Sequence, residues 1–263
     1  MILYLFNPEA KRAQKLKDKI KATIDDLGLS GEFVAVMKKD DLKTIVPEAI
    51  DRGYETIVTI GGDGMINRVI PYIMNTEVSL GIIPIGETNF LANIIGIKSW
   101  KQGCESLIKS KTIPLGIGIV NDRLFVSSVE IEVKQENNKK VLGIFSGKQK
   151  TKYLPVSINI EAENTDLKIQ SNMSSILIST IPIPPPPGFK IEEEVENQNL
   201  NIIIKSKPVS SSKKAKEEIT ILHGKKIDIQ SKNTLVIKAD GDPFGKTPAY
   251  IEMITKSLNV IIP

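Results

Sequence analysis

Cysteine, histidine and tryptophan occur once each in the 263 residues, and aromatic residues make up only 5% of them. The lone cysteine, Cys104, excludes an internal disulfide framework; it fits a reducing cytoplasm and reads as a small core residue. The lone histidine, His223, has no Cys/His cluster around it in the sequence, which excludes the usual zinc sites. Long hydrophobic runs are also missing. The apolar stretch nearest the N-terminus, Ile2 to Phe6, is too short for a signal peptide and ends in Asn7-Pro8, and no segment reaches bilayer-spanning length. A cytoplasmic location is expected. Net charge is only +4, with a pI near 8.9, and no basic helix is interleaved with aromatics, so no nucleic-acid partner is expected. Lysines do gather late, at 205, 207, 213, 214, 216, 225 and 226. They read as a solvated loop or, more sharply, as a weak hold on anionic lipid head groups at the inner face of a membrane.

What is present divides into two grammars. Up to about residue 118, apolar runs alternate with helical patterns. Strands are expected at Ile2–Phe6, Glu32–Met37, Thr56–Ile60 and Leu80–Ile85. Between them, Ala10, Ala13, Leu16, Ile20, Ile24 and Leu27 recur at helical spacing, as do Ile66, Val69, Ile70 and Ile73. Further helices are expected near Asn89 and after the cap Ser99. Strands apolar on every side and separated by helices indicate a parallel sheet covered on both faces. Beyond residue 118 the period becomes two, in "VEIEVK", "VSINIE", "LKIQ", "ITIL", "IDIQ", "LVIKA" and "LNVII". That is the pattern of antiparallel strands with one wet face. The expected organisation is an α/β domain over 1–118 and an all-β sandwich domain over 119–263, with the last strand free to return to the first domain. "IPIPPPPG", 181–188, reads as a stiff connection or a polyproline II ligand.

The chemistry concentrates in "TIVTIGGDGMINRVI", residues 56–70. A buried strand ends in Gly61-Gly62-Asp63-Gly64 and a helix follows. Parallel sheets bind ligands beyond the carboxyl ends of their strands. Glycine there lets a ligand approach the backbone, and the N-terminus of the helix favours an anion, a phosphate above all. Asp63 can cap that helix or hold a cation beside phosphates. A plain glycine turn closing a β–α unit is the competing reading. The stretch is neither a Walker A loop nor a dinucleotide fingerprint. A second strand–glycine–helix passage, "GIIPIGETNFLANIIGI" (81–97), brings Gly86 and Asn89 to a neighbouring strand end and makes a two-walled phosphate site.

Asn7-Pro8, Gly-Gly-Asp-Gly-x-x-Asn (61–67), Pro-x-Gly-x-x-Asn-x-x-Ala-x-x-x-Gly-Ile (84–97) and a late Asp-Gly-acid (240–242) occur in an order that resembles the diacylglycerol kinase catalytic family. That family includes sphingosine kinases and bacterial lipid kinases, with NAD kinases as distant relatives. The resemblance implies a two-domain NAD kinase/diacylglycerol kinase-like fold, ATP and Mg²⁺ as cofactors, and a lipid substrate such as diacylglycerol. It implies that Gly61, Gly62, Asp63, Gly64 and Asn67 line the nucleotide phosphates, with Gly86 and Asn89 as the opposite wall. Asp63 would organise metal and phosphates, and Asp242 would stand where the family has its general base. A homodimer is compatible with the resemblance.

The chain also departs from the pattern. Met65 replaces a threonine, Arg68 a glutamate, and Gly86-Glu87-Thr88-Asn89-Phe90 stands for Gly-Thr-Gly-Asn-Asp. Pro114 stands for the aspartate of an Asp-Leu-Gly segment, and Val36 or Met37 for a threonine at the end of the second strand. Asp242 is one methylene shorter than the usual glutamate. "PPPPGF" and "VENQNL" stand where bacterial members carry a structural Mg²⁺ site. Glu87 would repel a triphosphate unless a metal or a lysine compensates. The rival expectation is therefore a catalytically impaired member that binds nucleotide or lipid. NAD kinase is the third.

Overall fold

The computed structural model describes residues 1–40, 42–133, 153–162, 166–181, 199–207 and 218–263. Most of the proline-rich connection, the lysines at 213, 214 and 216, all of "PPPPGF" and the first four residues of "VENQNL" lie outside them. The described residues fall into two units. One comprises those of Met1–Ile117 and Ile254–Pro263; the other comprises those of Gly118–Ile183 and Asn199–Met253.

The first unit alternates strand and helix: β1 (Ile2–Phe6), α1 (Ala13–Asp26), β2 (Gly31–Ala35), α2 (Leu42–Asp51), β3 (Thr56–Gly61), α3 (Asp63–Ile73), β4 (Ser79–Pro84), α4 (Phe90–Ile94) and α5 (Trp100–Lys109). Its strands lie in the order β4-β3-β1-β2, all parallel. Asn259 and Val260, near the end of the chain, pair parallel with Ser79 and Leu80 of β4, so the last strand closes this sheet. Alternate side chains serve opposite faces. Tyr4, Phe6, Val58, Ile60, Ile83 and Ile85 share a cluster with Ile20, Ile24, Cys104 and Leu107 of α1 and α5. The aliphatic residues of α3, Ile66, Val69, Ile70 and Ile73, are all buried, so one face of the helix packs into the unit. Burial pushes the Cys104 thiol up to about 11, so it behaves as a packing residue. Ser99 caps α5, its hydroxyl accepting from the Gln102 N–H at 3.2 Å.

The second unit is built from antiparallel strands: the end of β5 (Thr112–Val120), β6 (Arg123–Phe125), β7 (Ser128–Glu132), β8 (Leu154–Glu161), β9 (Asp166–Ser179), β10 (Leu200–Lys207), β11 (Glu218–Gly224), β12 (Lys226–Ser231), β13 (Val236–Ala239), β14 (Asp242–Lys246) and the start of β15 (Ala249–Ile261). Along one edge, β9 pairs first with β8 and then with β7; its other edge pairs with β10. Inward residues of β7, β8, β9, β10, β12 and β13 form one apolar core, as a sandwich requires. The period-two reading underestimates this unit: β9 runs to Ser179, and β10, β14 and the long β15 carry no clean alternation in sequence.

Candidate functional site

The carboxyl ends of β3 and β4 lie side by side, Gly61 opposite Pro84. The Gly61 carbonyl accepts the N–H groups of Ile85 and Gly86 at 2.8 and 3.2 Å, so the two loops start out joined. They then touch backbone to backbone. A β-carbon on Gly86 would lie 2.6 Å from the Gly62 α-carbon, closer than real contacts allow. Glycine is thus required at Gly86 because another loop fills the space of a side chain. Asn89, at φ +48°, folds back and closes the β4–α4 loop: its amide oxygen accepts the Gly86 N–H and its amide nitrogen donates to the Gly86 carbonyl, both at 2.9 Å.

Asp63 does not cap its own helix, whose N-cap position is Gly62. Its carboxylate crosses to the neighbouring loop and accepts the N–H groups of Phe90 at 2.9 Å and Leu91 at 3.2 Å. It thereby supplies the acceptors that the first turn of α4 lacks internally. The expectation that it caps the following helix is corrected: Asp63 is already the first residue of α3, one position past the cap, and α4 offers it donors that have no acceptor within their own helix. The first N–H groups of α3, at Asp63 and Gly64, have no acceptor among the described residues. Gly64 is exposed, and a β-carbon on it would meet nothing within 4 Å. Asn67 is half-buried on the next turn.

Met65 is buried, only 3% exposed, with its β-carbon 3.0 Å from where a β-carbon on Gly61 would stand. It packs α3 onto the end of β3 and leaves the loop mouth open. Arg68 reaches sideways and donates to the carbonyls of Met37 and Asp40, at 3.1 and 3.0 Å, pinning the turn after β2.

Glu87 is paired with Lys11. Lys11 follows β1 and Glu87 follows β4, and β3 lies between those strands, so the ion pair joins the loops on either side of Gly61–Gly64. The lysine is the compensating charge for Glu87, and its hydrogen bond holds the Glu87 carboxyl below the usual carboxylate range. The sequence reading did not single out Lys11. The signal was present, because all the strand ends of a parallel sheet that follow β1, β3 and β4 face the same side.

Asp242 lies in the other unit, as the first residue of β14. Its side chain is 78% exposed, with Arg123 at 3.6 Å, and that guanidinium lies over the Phe244 ring. The two preceding residues form the turn: Asp240 and Gly241 take φ +51° and +86° between Ala239 and its partner Asp242. Paired positive φ at Asp-Gly is the geometry of a two-residue hairpin. Asp240 has a further part: its carboxylate accepts the N–H groups of Val126, Ser127 and Ser128 at 2.8–3.1 Å and the Ser127 hydroxyl at 2.5 Å. The Asp-Gly-Asp stretch therefore joins a structural acid to an exposed one.

The chain is similar to known proteins in sequence and in fold. Residues 1–120 match the diacylglycerol kinase catalytic domain. The chain is 24% identical over 276 aligned residues to an uncharacterised protein of Synechocystis, covering 93% of this chain and 63% of that protein. It is 30% identical over 138 residues to a probable lipid kinase (YegS-like) of Pseudomonas aeruginosa, covering 48% and 46% of the two chains. It is 27% identical over 129 residues to a diacylglycerol kinase of Bacillus subtilis, covering 47% and 43%. The match thus spans about half the length of the named kinases. Among solved structures, a putative diacylglycerol kinase of Bacillus anthracis superposes with a TM-score of 0.73 at 15% identity, over 100% of this chain and 97% of the other. That likeness extends the fold, an α/β unit followed by a strand-rich one, to the whole length. In motif order and sequence the first 120 residues are thus similar to the diacylglycerol kinase catalytic domain, and the fold is similar over the whole length.

Proposed function

We propose that the protein is an ATP-dependent lipid kinase-like phosphotransferase that acts on a lipid hydroxyl such as that of diacylglycerol. The observation that carries this reading is the joined pair of glycine loops. Gly62 and Gly86 are in backbone contact, while the first amides of α3 keep free N–H groups beside an open Gly64. Phosphoryl transfer asks a protein chiefly for positioned donors and charge neutralisation, and such a loop supplies the donors. In this reading Gly61, Gly62 and Gly64 cradle the nucleotide phosphates, Asn67 lies beside them, and Gly86 and Asn89 shape the opposite wall. Asp63 acts through the fold of that wall. Its carboxylate already accepts two N–H groups, and no group of three Asp, Glu, His or Cys side chains suited to a metal occurs among the described residues. Mg²⁺ would enter as part of the Mg-nucleotide substrate and would neutralise phosphate charge there, with Asp63 the nearest carboxylate of the loop. In this reading Asp242, exposed beside Arg123, takes the proton of the attacking hydroxyl.

The test is transfer of radiolabelled phosphate from ATP to mixed lipids by the intact protein and by Asp242→Ala, whose exposed site leaves the fold undisturbed. Transfer abolished by the substitution supports the reading; equal background from both removes the enzyme claim. A second reading, a nucleotide- or lipid-binding member without turnover, is favoured by one observation: the carboxylate of Glu87 stands at the loop where a triphosphate would arrive. Calorimetry with Mg-ATP separates the two. A cytoplasmic protein lying against an anionic membrane face fits the first reading, and no helix among the described residues is long and apolar enough to cross a membrane.

A further inference from the structure

The β-rich unit carries a groove on the face of its sheet. It measures about 660 Å³ over the outer face of β8, β12 and β15, bordered by the start of β9. The register of these strands sets four side chains in a row: Lys168 opposite Asn159, Asn159 opposite Asp228, and Asp228 opposite Tyr250. Their neighbours Ile227, Ile229, Ile158 and Ile160 point into the core, so the row is the wet face of the sheet.

At the centre of the row is an unsatisfied group. One oxygen of Asp228 accepts from Asn159 at 3.2 Å and Gln230 at 2.8 Å. The other, Oδ1, is buried and has no donor. Buried acceptors are paired in nearly all proteins, and leaving one bare is costly, so the position favours a ligand that displaces the side chains covering it and supplies a donor. The surroundings define that donor. Carboxylates of Glu161, Asp166 and Glu252 border the groove and disfavour a phosphate in the place beside Asp228, and Lys168 and Lys226 disfavour an ammonium there. No three ligating side chains converge on a metal among the described residues. A neutral molecule rich in hydroxyls satisfies all of these conditions. Tyr250, 57% exposed, offers its ring as a flat platform for the C–H face of such a molecule.

We propose that this groove binds a polyhydroxylated ring, a sugar or cyclitol with adjacent hydroxyls, one of which donates to Asp228 Oδ1 while the ring lies on Tyr250. The site is independent of the phosphotransfer reading, since every residue in it belongs to the β-rich unit and none to the glycine loops. The ring could be free or carried as a lipid head group, and the test has an arm for each.

The full-length protein is titrated with myo-inositol and methyl glucoside, followed by saturation-transfer NMR. It is also sedimented with phosphatidylcholine vesicles made with and without phosphatidylinositol. Asp228→Ala and Tyr250→Ala are each expected to weaken binding by about tenfold or more. Asp228→Ala should leave the melting temperature unchanged or raised, because it removes an unpaired acceptor; a merely structural Asp228 would lower it. Binding of free polyols, weakened in both variants, establishes the site with a soluble ligand. Binding of inositol-lipid vesicles alone, weakened in both variants, establishes it with a lipid head group. Binding in neither arm, or binding unchanged in the two variants, overturns the proposal.

Discussion

Gly86 and Gly64 are both glycines of the candidate site, yet physical chemistry separates them. Gly86→Ala would drive a β-carbon into the Gly62 backbone and should cost about 1–3 kcal/mol, visible in urea denaturation. Gly64→Ala meets open space within a helix and should stabilise by about 0.4–1 kcal/mol. If the loop cradles phosphates, Gly64→Ala should nonetheless weaken Mg-ATP binding in calorimetry; unchanged affinity would place the nucleotide elsewhere. Asp63→Ala uncaps α4 and should cost about 0.5–2 kcal/mol, so its activity must be read against its stability. Glu87→Gln should tighten Mg-ATP in the same calorimetry, because a negative charge leaves the approach and Lys11 becomes available. At both Glu87 and Asp63 the sequence showed an acid in a candidate loop without showing its partner. Partners 76 and 27 residues away are set by the packing of loops, which no local pattern encodes.

The sheet of the α/β unit was legible element by element. β1 and the α5 cap fall where the apolar run and Ser99 place them, because a buried parallel strand must be apolar throughout and a capped helix must start at its cap. β10 and β14 were not legible, since one is nearly continuous in apolar residues and the other reads as turn chemistry through Asp242-Pro243. Element junctions are where charge matters. Glu32 of β2 accepts from Tyr54 at 2.5 Å and from Arg52 at 3.1 Å, and the Tyr54 hydroxyl, more than the guanidinium, holds its carboxyl below the usual range. A depressed folded-state pKa stabilises above the ordinary carboxylate range, and that stability is lost as pH falls through the folded value. The α/β unit should therefore weaken as the medium is acidified through that range. Glu32→Gln should flatten the dependence, measured by fluorescence of Trp100, the single tryptophan, which lies in α5 of that unit. At the β13–β14 hairpin, Asp240→Ala leaves three backbone N–H groups without their acceptor. It should cost about 3 kcal/mol, more than Asp242→Ala two residues later, whose exposed side chain makes one ion pair.

For the whole molecule, the end of the chain is a structural part of its beginning. Leu258, Val260, Ile261 and Ile262 are buried, and the last strand lies against β4, whose carboxyl end carries Gly86. Deleting residues 254–263 should unfold the α/β unit, with Trp100 fluorescence red-shifted under native conditions and Mg-ATP binding lost. A folded, nucleotide-binding truncation would contradict this account. Mg-ATP at about 100 times its Kd should raise stability by about 2.7 kcal/mol if the loop binds it.

The sequence by itself determined the alternation of apolar runs and helical faces, the change of period near residue 118, and the positions of the glycines, because each is a local demand of backbone geometry and burial. Tertiary structure alone decided what the polar residues do. Asp63 caps a neighbouring helix, Met65 turns inward, Lys11 answers Glu87, and Asp240 rather than Asp242 organises the late turn. Those outcomes depend on which loops the parallel order of strands sets side by side. A carboxylate takes whichever donors arrive within 3 Å, whatever their distance along the chain.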